Sequence, residues 1–292
     1  MSDPLAPERL APPTPGQLRR LMGAEHLRPR RALSQNFLTD PAALDAIVEA
    51  AELQPGDRVV EIGPGLGVLT RRLLASGASV LAVELDHRLA EWLRRELVDV
   101  PAFELVEGDV LDFDPRRAFP GQPFKVVANI PYHITSPLLH AFLEGARPPE
   151  LMVVLVQAEV ADRVAAPPGQ MSYLSVFAQN VAEASVVARV EAAAFEPAPK
   201  VDSAVLRLRR RPVPRIPPGE REPFYRLVQA AFRQRRKQLH NALTRELPIS
   251  RETLDEALGA CGVAPDRRPQ TLSVDEWACL TDRLAPWLEA AP

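Results

Sequence analysis

Three glycines at alternate positions, Gly63, Gly65 and Gly67, sit between an apolar run and a helical pattern. Arg58–Thr70 reads RVVEIGPGLGVLT. Val59, Val60 and Ile62 are of strand type, and Val68, Leu69, Leu73 and Leu74 recur at helical spacing. Strand, glycine turn and helix make the ligand-binding corner of an α/β sheet, where a side chain would block the turn or the ligand. Two carboxylates accompany the glycines. Glu61 lies two residues before Gly63, and Glu84 ends the strand-like Ser79–Leu85, 21 residues after it. An acid at that second place can accept from both hydroxyls of a ribose. Val68 stands where a dinucleotide fingerprint wants its third glycine, so the spacing is G-x-G-x-G. The ribose acid alone fits NAD as well as any other nucleoside cofactor.

EIGPGLG resembles the first motif of class I S-adenosylmethionine methyltransferases. That cofactor carries no phosphate, so the helix start need not receive an anion. A second segment, Asn129–Ile130–Pro131–Tyr132, follows a strand pattern at Lys125–Ala128. It therefore falls outside the carboxyl end of a strand, where such sheets bind ligands. It resembles the N/D-P-P-Y/F type motif of methyltransferases acting on exocyclic amines, and the chemistry accounts for the residue types. The lone pair of an adenine N6 is delocalised into the ring, which makes the nitrogen a poor nucleophile. Acceptors for its hydrogens draw it towards a tetrahedral, nucleophilic form. The Asn129 side-chain oxygen is one acceptor, and the carbonyl of Ile130 or Pro131 a second. Pro131 fixes φ and holds that carbonyl. Tyr132 offers a ring face to a flipped-out base.

These segments need a scaffold, and the rest of the chain reads as one. Asp40 is a good N-cap and Pro41 a good first helical residue for a helix reaching about Leu53. Strand patterns follow at Arg58–Ile62, Ser79–Glu84, Ala102–Val106, Lys125–Ala128 and Leu151–Gln157, with helical patterns between all but the third and fourth, where Glu107–Asp109 is a turn. Two more strands are expected at Ala184–Val190 and Ala204–Arg209. Alternation of this kind predicts an α/β fold with a doubly wound parallel sheet. Residues 212–219 hold four prolines and read as a linker, after which only helical patterns appear. The expected organisation is a flexible, basic extension over 1–30 with room for a short helix at Gln17–Leu27, a catalytic domain over 31–211 and a small all-helical domain over 212–292.

Composition narrows the class. No apolar run approaches the ~18 residues of a membrane span, and the proline-rich start is not a secretory leader. Cys261 and Cys279 are the only cysteines; they are read as two lone thiols without a disulfide framework or metal spacing, in a reducing cytoplasm. His87, His133 and His140 lack metal-ligand partners at useful spacing, so no metal is expected. The net charge of −3 is unevenly spread. Residues 200–292 hold 17 Lys and Arg against 12 Asp and Glu, a balance of +5, and residues 1–199 hold 18 against 26, a balance of −8. A basic tail on an acidic body suits a polyanionic partner. Its densest run is Arg233, Arg235, Arg236 and Lys237, read as phosphate contacts at a helix end.

Gln35–Leu38 (QNFL), Glu61–Gly67, Glu84, Gly108–Asp109, Asn129–Tyr132 and Phe195–Ser203 (FEPAPKVDS) stand in the order and register of the ribosomal RNA adenine N6,N6-dimethyltransferases. The chain is identified as a member of that family over about residues 30–210, closest to its small-subunit branch. The resemblance implies a class I S-adenosylmethionine-methyltransferase fold, Rossmann-like, with a helical C-terminal domain that binds ribosomal RNA. It implies S-adenosylmethionine as methyl donor and 16S rRNA, in the 30S subunit or its precursor, as partner. A cytoplasmic monomer is expected, acting on two adjacent adenosines in a hairpin loop near the 3′ end. By resemblance, Asn36, Leu38, Gly63 and Gly65 touch the cofactor, and Glu84 holds its ribose. Asp109 accepts from its adenine amino group, with Val110 beside the ring. Asn129 serves cofactor and target, and Phe195 stacks on the target base opposite Tyr132. A large-subunit RNA methyltransferase and a 30S assembly factor are the competing readings.

Overall fold

The computed structural model describes residues 10–30, 33, 35–114, 119–145 and 147–289. In chain order its helices and strands are α1 (Pro15–Ala24), β1 (Phe37–Leu38), α2 (Pro41–Ala50), β2 (Arg58–Ile62), α3 (Val68–Ala75), β3 (Ser79–Glu84), α4 (His87–Glu96), β4 (Phe103–Glu107) and β5 (Lys125–Asn129). There follow α5 (Thr135–Leu143), β6 (Leu151–Gln157), α6 (Ala158–Val164), α7 (Tyr173–Val181), β7 (Ala182–Val190), β8 (Phe195–Glu196) and β9 (Ser203–Arg210). The chain ends in α8 (Arg221–Arg233), α9 (Leu239–Glu246), α10 (Arg251–Ala260) and α11 (Val274–Glu289).

Seven strands form one sheet in the order β4-β3-β2-β5-β6-β9-β7. Strands β2 to β6 pair in parallel, and β9 runs antiparallel to β6. The sheet is therefore mixed at that side, a point that apolar runs cannot reveal because they do not encode strand direction. The order reverses between β2 and β5, which places the open crevice of the sheet at their carboxyl ends. Residues Leu151 to Val156 of β6 are all buried, as a strand covered on both faces requires.

Local signals set the helices that flank the crevice. Asp40 caps α2 by accepting from the Ala43 N–H at 2.9 Å, with Pro41 in the first turn. Gly67 opens α3 with φ 74°, and a Cβ there would stand 2.9 Å from Leu93 Cδ2. Gly67→Ala combines a left-handed backbone with that contact. The expected loss of unfolding free energy is about 2–4 kcal/mol. A chemical-denaturation midpoint lowered at unchanged m-value would report it.

The chain divides into two compact units. Unit one holds residues 1–161 and 185–210, and unit two holds 162–184 and 211–292. This corrects the expected boundary, because residues 162–184 belong with the helical tail. Asn180 shows why: its side chain donates to Tyr225 Oη at 3.2 Å and accepts from the Ile216 N–H at 2.8 Å. The core of unit two gathers Met171 and Val176 with Phe224, Leu254 and Trp277.

Two further expectations are corrected. Residues 10–30 are not a loose extension: α1 carries a capping box at Thr14, and Leu10, Leu18, Met22 and Leu27 are buried in the core of unit one. Residues 1–9 and Arg31 lie outside the described residues. Cys261 and Cys279 are not lone thiols. They form a disulfide across 18 residues, with Cα atoms 5.9 Å apart, joining the end of α10 to α11. Their spacing in sequence gives no hint of this, since packing of the two helices brings them together.

Candidate active site

The pocket lies in unit one at the carboxyl ends of β2, β3 and β5. The turn after β2 passes through positive φ at Gly63, Gly65 and Gly67. A Cβ at Gly63 would meet nothing within 4 Å, so this residue borders open space, whereas one at Gly65 would stand 3.0 Å from Phe37 Cε1. Glu84, at the end of β3, is 5% exposed and lines the pocket. It accepts from the Gly65 N–H at 3.0 Å and the Asp86 N–H at 2.9 Å. One carboxylate thus ties the glycine turn to the neighbouring strand end. Burial, with the charge of Asp86 adding to it, pushes the Glu84 carboxyl up, against the pull of those amides.

Asp86 is the anchor behind this arrangement. It accepts from Arg88 Nη2 at 2.7 Å and Gln35 Nε2 at 3.1 Å, and Arg30 lies 3.6 Å away. Burial would raise the Asp86 carboxyl, but Arg88 and Gln35 more than offset it and hold it below the ordinary range. Gln35 thereby pins the QNFL segment over the pocket. Asp86 and Arg88 were not singled out from sequence, and an acid two residues beyond Glu84 with an arginine two further on was the available signal.

Strand β1 pairs with β8, Phe37 opposite Glu196 and Leu38 opposite Phe195. This two-residue ladder joins segments that are about 160 residues apart in sequence. It is too short for any pattern to betray. Asn129, the last residue of β5, donates from Nδ2 to the Asn36 carbonyl at 3.1 Å. That bond turns the amide so that Oδ1 points the other way. Asp109 lines the pocket and is held by the Leu111 N–H at 2.9 Å, with buried Val110 beside it. Ile130 is buried, and Pro131 at φ −55° starts a short 3-10 turn over Tyr132–Ile134. The Pro131 carbonyl accepts from the Ile134 N–H at 3.1 Å. Tyr132 lines the pocket half-buried, its hydroxyl 2.8 Å from Ser203 Oγ. Burial raises the phenol and Asp202 adds to it, against Ser203, so the ring is neutral at physiological pH.

The structure thus brings Asn36, Leu38, Gly63, Gly65, Glu84, Asp109, Val110, Asn129, Pro131 and Tyr132 to one pocket. Phe195 is not among the residues that line it. It is 4% exposed and belongs to the hydrophobic core, because the pairing with Leu38 carries it there.

In unit two, Arg235, Arg236 and Lys237 are exposed in the turn between α8 and α9. Arg233, on the last turn of α8, lies 3.5 Å from Glu246 instead. Among the described residues no group of three metal-ligating side chains occurs, and no helix is long and apolar enough to cross a membrane.

A family model described as Ribosomal RNA adenine dimethylase matches residues 26–285. Ribosomal RNA small subunit methyltransferase A of Geobacter metallireducens is 44% identical over 89% of this chain and 97% of its own. The protein of the same name from Pelotomaculum thermopropionicum is 43% identical over 92% of this chain and 96% of its own. Among solved structures, the 23S rRNA methyltransferase ErmE superposes with a TM-score of 0.71 at 35% identity, over 86% of this chain and all of its own. A dimethyladenosine transferase from Plasmodium falciparum, 24% identical, shares the fold with a TM-score of 0.72, over 86% of this chain and 98% of its own. The match spans both the pocket and the helical tail, and the chain belongs to the ribosomal RNA adenine dimethylase family.

Proposed function

We propose that this chain dimethylates N6 of two adjacent adenosines near the 3′ end of 16S rRNA, with S-adenosylmethionine as donor. The observation that carries the reading is the pocket itself: Asn129 at the end of β5 stands over a glycine turn whose neighbouring acid, Glu84, is buried. S-adenosylmethionine, when bound, supplies an electrophilic methyl group on a sulphonium. The residues present suit it. Glu84 accepts from the ribose, and the open space at Gly63 admits the amino-acid part. Asp109 and Val110 receive the adenine.

The chain's own residues make the target nitrogen reactive. Asn129 Oδ1 accepts one N6 hydrogen. The Ile130 carbonyl is favoured as the second acceptor, since that of Pro131 is engaged by Ile134. Tyr132 supports the base on one face, held in place through Ser203. No general base is needed, because methylation leaves the nitrogen cationic and acidic. The enzyme works in the cytoplasm as a monomer, and unit two docks on the small subunit or its precursor.

The similarity to ErmE supports a second reading, methylation of large-subunit RNA. Full-length similarity to the small-subunit enzymes favours the first. Incubation with labelled S-adenosylmethionine and unmethylated 30S or 50S particles decides. The expected result is label in 30S particles alone; label confined to 50S particles would establish the second reading.

Arg235, Arg236 and Lys237 are assigned to phosphate contacts. Replacing all three weakens RNA binding and flattens its salt dependence by about 0.7–0.9 log units per lost contact. Cofactor affinity stays unchanged. Binding measured across a salt series checks this, and an unchanged slope would place the cluster away from the RNA.

A further inference from the structure

The two cysteines take no part in the reading above. Their bond closes residues 261–279 of unit two into a loop and joins α10 to α11. Those helices flank the pair that carries the basic turn: α11 packs on α8, and α10 on α9. Two carbonyls inside the loop hold the start of α9. The Arg267 carbonyl accepts from the Leu239 N–H at 2.7 Å, and the Pro265 carbonyl accepts from His240 Nδ1 at 2.7 Å. His240 Nε2 in turn accepts from Arg251 Nη2 of α10 at 3.2 Å. Leu239 and His240 are buried, whereas Arg235, Arg236, Lys237 and Gln238 just before them are exposed. The basic turn thus spans two fixed ends. Upstream, Gln234 donates to Glu246 Oε1 at 3.0 Å. Downstream, the closed loop sets the position. A loop closed by a covalent bond has fewer arrangements open to it than one closed by packing alone. Both cysteines are half-buried, and Cys261 packs against the core of unit two.

We propose that the Cys261–Cys279 disulfide is a redox-sensitive brace for RNA binding. Closed, it holds the start of α9 and so fixes the direction of the basic turn. Reduced, it lets that turn move. The inference rests on the assignment of Arg235, Arg236 and Lys237 to phosphate. The step balances with a dithiol as reductant. The dithiol supplies two electrons and two protons, the S–S bond breaks, two cysteine thiols form, and the reductant leaves as a cyclic disulfide. Unit one holds no cysteine, so the chemistry does not touch the cofactor pocket.

The full chain, purified without reductant, is compared before and after treatment with dithiothreitol. Alkylation read by intact mass should modify neither cysteine before treatment and both after it. The reduced form should melt about 10 °C lower, as expected for an 18-residue loop in a unit of this size. Below that transition it should bind unmethylated 30S particles about tenfold more weakly, the cost of ordering one or two long side chains anew at an interface. S-adenosylmethionine should bind both forms equally. The double variant Cys261→Ser, Cys279→Ser should match the reduced form and ignore the reductant. Alkylation of both cysteines before treatment would overturn the inference. Equal affinity of the oxidised and reduced forms for 30S particles would overturn it whatever the melting shift. Loss of S-adenosylmethionine binding on reduction would mark a general loosening and overturn it too. Replacing Arg235, Arg236 and Lys237 together keeps the two readings apart. If that weakens binding and reduction does not, only the brace falls; if that leaves binding unchanged, the phosphate assignment falls and the brace with it. The reductant comparison decides the matter even if the double variant does not fold.

Discussion

Asn129→Ala is expected to slow methyl transfer by about 10²–10³-fold, the usual loss when one preorganised polar group is removed from a reacting site. The hydrogen bond it would make to N6 strengthens as the nitrogen becomes tetrahedral, so the loss falls on turnover more than on binding. The bond from Nδ2 to the Asn36 carbonyl fixes the side chain before the substrate arrives. Part of the effect therefore comes from orientation. Dimethylation sharpens the expectation. After the first transfer N6 keeps one hydrogen, and one of its two acceptors loses its partner. The second transfer is the more sensitive to Asn129. Single-turnover kinetics, with mono- and dimethyladenosine counted separately, should show the monomethyl product accumulating in the variant. Wild-type rates for both steps would reduce the tetrapeptide to a structural turn.

Glu84→Ala should weaken S-adenosylmethionine binding by about 1.5–3 kcal/mol, the range for hydrogen bonds to a charged group. A second loss accompanies it. The Gly65 and Asp86 amides would be left unpaired in a buried setting, at about 1–3 kcal/mol each. The variant should melt earlier as well as bind less tightly. Titration by calorimetry, alongside a denaturation curve, separates the two. Unchanged affinity in a folded variant would remove Glu84 from the site.

The cofactor corner was legible because its chemistry leaves a local signature. Glycines at alternate positions, a strand before them and an acid 21 residues on are all read within one βαβ unit. The NIPY segment was legible for the same reason, since its residue types answer one chemical need. The features that escaped arise from contacts distant in sequence. The pairing of Leu38 with Phe195 rests on two residues and takes into the core a ring expected to stack on a base. The disulfide and the allegiance of residues 162–184 depend on helix packing, which apolar periodicity does not specify. The Asp86 anchor escaped because an exposed cap and a buried hub look alike in sequence.

The central claim is that this pocket builds N6,N6-dimethyladenosine in small-subunit RNA. The most direct measurement is the identity of the product. RNA from unmethylated 30S particles treated with the enzyme and S-adenosylmethionine is digested to nucleosides, which are resolved by mass. The account predicts N6,N6-dimethyladenosine, two per particle. A nucleoside methylated only on a ribose 2′-oxygen or on another base would contradict it.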